Sequence, residues 1–309
     1  MFLRKLSDGE ISAFEARLSA TRDLKAREAE RGHFDHPTIR QLATQICHEL
    51  RDGHGAIVLS GLSNERFSPE DFERIYWGLG RVLGKPVIQN YKGDLLTYVE
   101  EEPDKNNPYD SRTKGRGYRN SAAAGYHTDT NEIVGLMCVQ RAERGGESII
   151  SSALAIHNDF VRHHPELLDW LYEGYYQAIG EDEVMTQEKA PVFGFVDGRL
   201  CVYFQARAMR LAAQKRGEEL SPRLNQAIDY FYERAEGNRA EFLLEPGEIL
   251  FWNNRNHVHG RRQFENSATR RRLLLRLWIE PDNPLRIPAN SAEHTKQRHR
   301  EAEAAKASA

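Results

Sequence analysis

The chain has 309 residues, of which 39% are hydrophobic and 29% charged, enough apolar material to build a sizeable core and exclude wholesale disorder. Its 43 Lys and Arg against 46 Asp and Glu leave a net charge of -3 at pH 7, so no basic excess points to nucleic acid or to an anionic membrane surface. The cysteines, Cys47, Cys138 and Cys201, are too widely spaced for a zinc ribbon or a disulfide framework and read as buried free thiols, as suits a reducing cytosol. The segment after Met1 lacks the apolar stretch of a secretory signal, and no apolar run approaches the ~18 residues that span a bilayer, so the reading is a soluble, cytoplasmic protein.

Residues 1–52 are charge-rich and read mainly as helix, because Ile39, Leu42, Ala43, Ile46, Cys47 and Leu50 recur at the spacing of a helical stripe. A turn at Asp52, Gly53, His54 and Gly55 leads into a short buried strand from Ala56 to Leu59. Residues 69–83 read as helix and 95–99 as strand. Residues 101–120 have no apolar period and carry Arg112, Lys114, Arg116 and Arg119; they read as a long lid-like loop that would suit an anionic substrate. Strands follow at 131–141 and 147–151, with helical inserts at about 153–175 and 207–237. Between the inserts, runs beginning at Val192 and Leu200 flank Asp197 and Gly198 as a hairpin. Strands at 248–252 and 270–280 complete the core, and a polar tail over 290–309 is expected to fray. The pattern is mostly β with helical insertions, a jelly-roll-like barrel in a single domain over residues 1–289.

Chemistry enters with Gly125-Tyr126-His127-Thr128-Asp129. On an extended chain His127 and Asp129 point to the same side, so one imidazole and one carboxylate can reach a single cation. His33-Phe34-Asp35 and His157-Asn158-Asp159 share the spacing, but the first sits in a polar turn and the second in an apparent helix, where residues two apart do not share a face. A second region, Gly247 to Arg261, offers a strand followed by an exit loop with His257 and His259. Two His and one Asp make the facial triad of non-haem Fe(II) oxygenases, which leaves open positions on the metal. In the segment Arg270 to Ile279, strand alternation puts Arg272, Leu274, Arg276 and Trp278 on one face. Arginines facing into a barrel need an anionic partner, and a dicarboxylate held by a guanidinium fork is one.

These strings resemble the taurine dioxygenase/TfdA-like branch of the Fe(II)/2-oxoglutarate-dependent oxygenases, of the clavaminate synthase-like fold. The resemblance rests on His127/Asp129, Gly145-Gly146-Glu147-Ser148, His259-Gly260-Arg261 and Arg271 to Trp278, in that order over residues 54–280. It implies a double-stranded β-helix core with Fe(II), 2-oxoglutarate and O2 as the reaction partners of a small-molecule substrate. It implies His127, Asp129 and His259 as iron ligands, with the H-G-R context favouring His259 over His257. It also implies Arg272 and Ser148 at the distal carboxylate of 2-oxoglutarate, with Arg270 as a rival because the spacing from His259 is slightly long. Arg276, Arg207 and Tyr126 are candidate substrate contacts, and Tyr91, Tyr98 and Tyr118 stand near the presumed mouth. The activity implied is hydroxylation of an unactivated C–H of a small polar metabolite, amino-acid-like or anionic, with release of succinate and CO2. An intact Asp129 argues against halogenation. The competing class is a cupin-like metal-dependent isomerase or binding protein without 2-oxoglutarate. No nucleic-acid or membrane partner is expected, and a homo-oligomer is compatible with the sequence.

Overall fold

A computed structural model of the chain describes residues 3–90, 93–101, 120–179 and 184–307. Among these, two β-sheets share one apolar layer, and helices cover the outer face of each. The larger sheet has seven strands, in the order Leu3–Lys5, Ala56–Ser60, Ile249–Asn253, Ile133–Gln140 and Leu273–Pro281. Gly84–Pro86 and Leu96–Glu100 both pair with the last of these. Every pairing is antiparallel except that of the first two strands. The smaller sheet runs Arg239–Phe242, Ser148–Ser152, His257–Arg261 and Ala124–His127, all antiparallel.

Period-two alternation sorts the side chains into layers. Leu274 and Trp278 join Val58, Val134, Leu250, Trp252 and Ile150 in the layer between the sheets. Leu275, Leu277 and Ile279 point the other way, onto the N-terminal helices. Those helices are Asp8–Ala20, Pro37–Asp52 and Pro69–Leu83. The first and third begin with capping boxes, Ser7 with Glu10 and Ser68 with Asp71, which satisfy backbone N–H groups that a helix start leaves free. On the opposite side, Ala153–His163, Pro165–Glu173, Ala206–Lys215 and Pro222–Gly237 pack against the outward residues Tyr126, Ile149 and Val258 of the smaller sheet.

The insert read as 207–237 is two helices, because Gly217 takes a positive φ of 68° and Pro222 starts a new first turn capped by Ser221. The hairpin at Asp197 and Gly198 forms as expected, with φ of 52° and 74° at its two turn residues. The C-terminal segment from Ala289 is helical to Ala307, and Ser291 and His294 at its start are buried. Most of the lysine- and arginine-rich stretch read as a lid, together with Tyr118 and Tyr91, lies outside the described residues. The three cysteines are free, and burial raises each thiol, Cys138 to about 12. No helix among the described residues is long and apolar enough to cross a membrane.

Candidate metal centre

The segment bearing His259, read from sequence as an exit loop, is the strand His257–Arg261, held in the smaller sheet between Ser148–Ser152 and Ala124–His127. In that ladder His259 stands opposite His127, and the two imidazole centroids lie 4.3 Å apart. Asp129 follows the strand end by two residues. Asn254 fixes it from one side: its Oδ1 accepts from the Asp129 amide at 3.1 Å, and its Nδ2 donates to the carbonyls of Asp129 at 2.7 Å and Asn131 at 3.0 Å. From the other side the Thr128 amide donates to the Phe204 carbonyl at 2.9 Å, the Phe204 amide donates to Thr128 Oγ1 at 3.0 Å, and the Gln205 amide group donates to the Thr128 carbonyl.

His127, Asp129 and His259 thus offer one ligand atom each, all within 4.8 Å of one another. His259 Nε2 is 3.6 Å from Asp129 Oδ2, beyond a good hydrogen bond but within the span of two ligands each about 2.1 Å from a common ion. His127 Nδ1 donates to the Gly125 carbonyl at 2.9 Å, which leaves Nε2 as the nitrogen with a free lone pair. Burial, then His127 and Arg276, hold the His259 imidazole down at about 3 against the opposing pull of Asp129, so it is neutral and competent as a ligand. Two imidazoles and a carboxylate fit a divalent iron-type ion. The rival His257 is buried at the far end of the strand, where its Nδ1 hydrogen-bonds Asn256 Oδ1 at 2.7 Å.

A small pocket in the layer between the sheets is lined by Cys138, Gly146, Ser148, Arg272 and Leu274 among others. Arg272 is 4% exposed; its Nη2 donates to the Gly146 carbonyl at 3.2 Å, while Nη1 is buried without a hydrogen-bond partner among the described residues. Burial, then Arg261, lowers its guanidinium to about 9. A Cβ on Gly146, whose φ is +83°, would sit 2.8 Å from Arg272 Nε, so the glycine makes room for the arginine. Ser148 is buried on the same face as Ile150, which belongs to the inner layer. The structure therefore brings two buried polar groups, Ser148 and Arg272, to the lining of one small pocket.

Several readings of single residues change. Arg270 is exposed and lies 4.0 Å from Glu143, in the turn before the strand Leu273–Pro281. Tyr126 is one residue from His127 on a strand and so faces the helical layer, where its hydroxyl donates to Glu236 Oε2 at 2.8 Å. Tyr98 is partly exposed and donates to Glu73 at 2.8 Å. Arg276 is half-buried on the Arg272 side of its strand, donates from Nε to Gln89 Oε1 at 2.7 Å and lies 4.9 Å from the Trp278 ring. Arg207 is exposed in the first turn of Ala206–Lys215. Sequence reading missed Asn254, Gln89 and the inward role of Arg261; only the N-N string before the distal histidine hinted at the first.

A family model described as "Taurine catabolism dioxygenase TauD, TfdA family" matches residues 20–278. FR-33289 synthase of Streptomyces rubellomurinus (strain ATCC 31215) is 29% identical over 264 residues, covering 82% of this chain and 77% of that protein. Among solved structures, asparagine oxygenase in complex with Fe(II), 2S,3S-3-hydroxyasparagine and succinate superposes with a TM-score of 0.70 at 16% identity, covering 91% of this chain and 94% of that one. The non-heme iron oxygenase OrfP in complex with Fe and alpha-ketoglutaric acid gives a TM-score of 0.65 at 16% identity, over 91% and 94%.

Proposed function

Since the chain belongs to the TauD/TfdA family and is an Fe(II)/2-oxoglutarate-dependent dioxygenase, we propose that His127, Asp129 and His259 hold its iron. We further infer that Arg272 and Ser148 receive the distal carboxylate of 2-oxoglutarate, on a double-stranded β-helix core. The substrate in this reading is a small polar metabolite with an anionic group, of amino-acid or related acid type, which is hydroxylated at an unactivated C–H with release of succinate and CO2.

The observation that carries the proposal is the convergence of two imidazoles and a carboxylate within 4.8 Å, in a chain that also buries an arginine with no carboxylate partner among the described residues. The iron and 2-oxoglutarate supply O2 activation and C–H oxidation when bound. The chain's own residues do the positioning. Asn254 and Gln205 fix the backbone around Asp129 from two sides, so the carboxylate is aimed before any ligand arrives. The Gly125 carbonyl fixes the ring orientation of His127, and Trp252, its ring 4.7 Å from that of His259, excludes water on that side. Gln89 orients Arg276, whose charge already acts on His259; a cation so placed favours a substrate with a carboxylate, sulfonate or phosphonate. Arg207 is the candidate for a second anchor. The cupin-like alternative is set aside, because the family is one of dioxygenases and an inward arginine has no role in it.

The test is succinate formation from 2-oxoglutarate with a panel of small amino acids, sulfonates and phosphonates. Anionic members are expected to stimulate succinate release and emerge hydroxylated, and the stimulation is expected to fall in Arg276→Gln. Stimulation confined to neutral or cationic compounds would refute the anionic reading.

A further inference from the structure

A second buried guanidinium, that of Arg261, shares an aromatic ring with Arg272. Arg261 ends the strand that carries His259 and stands directly opposite Ser148 in the ladder. It is 7% exposed against 4% for Arg272. Both guanidinium carbons lie over the ring of Phe264, at 4.9 Å for Arg261 and 5.2 Å for Arg272. Arg261 Nη2 donates to the carbonyl of Asn120 at 2.7 Å and to that of Ala122, while its Nε is buried without a hydrogen-bond partner. Among the described residues neither arginine is paired with a carboxylate; each leans on backbone carbonyls and on one shared aromatic face.

Two buried like charges on one ring repel, and carbonyl dipoles offset only part of the desolvation each has suffered. A structure keeps such a pair where an anion of matching charge completes it. Chelation to a metal uses only the keto-acid end of a 2-oxo acid, so the second negative charge of a dicarboxylate is what the pair can answer.

We propose that Arg261 is a positioning residue of the cosubstrate site, a second guanidinium that makes the pocket selective for a dicarboxylate over a monocarboxylate 2-oxo acid. This rests on the reading that Arg272 receives the distal carboxylate. Arg261 acts through the field it sets at Ser148 and Arg272 and through its grip on Phe264, not through the metal.

The experiment is anaerobic titration of the Fe(II)-loaded protein with 2-oxoglutarate and with 2-oxopentanoate, which replaces the distal carboxylate by a methyl group, each followed by visible charge-transfer absorbance. Arg261→Gln is expected to weaken 2-oxoglutarate by about tenfold, the scale of one charge at close range in a partly screened site, while leaving 2-oxopentanoate unchanged. Arg261→Lys, which keeps the charge while losing the fork, retains the wild-type preference. Equal weakening of both acids in Arg261→Gln would mean a merely structural role, and no change in either, or loss of preference in Arg261→Lys, would equally overturn the proposal. Arg272→Gln run alongside separates the two levels: if it leaves 2-oxoglutarate binding intact, the underlying cosubstrate reading falls instead.

Discussion

Replacing Arg272 by methionine is predicted to make the ligand-free protein more stable and unable to bind its cosubstrate. The guanidinium is 4% exposed, has one nitrogen without a partner, and is held at about 9 by burial and by Arg261 instead of its ordinary 12.5. A depression of that size disfavours the cation by several kcal/mol, and replacing buried ions by apolar groups of similar volume recovers about 1–4 kcal/mol. Arg272→Met is therefore expected to raise Tm by about 2–4 °C for each kcal/mol recovered. The sign with pH follows from a folded value below the unfolded one: the penalty is fully present at neutral pH and fades only as pH rises past about 9. The Tm gap between variant and wild type is thus flat near neutrality and narrows in alkali. With 2-oxoglutarate added to the Fe(II) form under nitrogen, wild type gains about 2.7 kcal/mol at a hundredfold excess over Kd, and the variant gains nothing. Scanning calorimetry with and without ligand reads both effects. A variant less stable than wild type when unliganded, yet still protected by 2-oxoglutarate, would show that Arg272 is neither a strained buried cation nor the cosubstrate anchor.

Five further substitutions probe the surroundings. Asp129→Ala and His259→Ala are each expected to abolish stoichiometric iron binding, read by metal analysis after desalting, while His257→Gln preserves it, since His257 is committed to Asn256. Asn254→Ala removes three hydrogen bonds around the Asp129 loop and leaves buried amide and carbonyls unpaired, at a cost of roughly 1–3 kcal/mol in denaturant unfolding; iron affinity is expected to drop by about 10- to 100-fold. Tyr126→Phe loses only the bond to Glu236, so it is expected to cost about 1 kcal/mol of stability and leave kcat and substrate KM unchanged; a raised KM would return Tyr126 to the pocket.

The candidate triad was legible because short strings carry it: His127 ends its strand with Asp129 two residues beyond, and Arg272 directly precedes the strand on which Leu274 and Trp278 share a face. Alternation also separates Tyr126 from His127, but applying it required knowing that residues 124–127 are a strand, and that strand has little apolar character of its own. Parity alone did not separate Arg270 from Arg272: both precede the ladder, and Arg270 is exposed beside Glu143 while Gln140 and Asn266 bind the backbone amides of Arg271 and Arg272. Asn254, Gln89 and Arg261 were missed because their work is done across 125, 187 and 141 residues of chain, on backbone carbonyls and side chains that only the fold assembles.

If one metal ion and one dicarboxylate share the space between His127, Asp129, His259 and Arg272, anaerobic titration of the Fe(II)-loaded wild type with 2-oxoglutarate yields a weak visible charge-transfer band. That band is expected to saturate at one equivalent per iron and to be lost or greatly weakened in Arg272→Ala. No band from the iron-loaded protein, or a band unchanged in Arg272→Ala, would rule out this shared site.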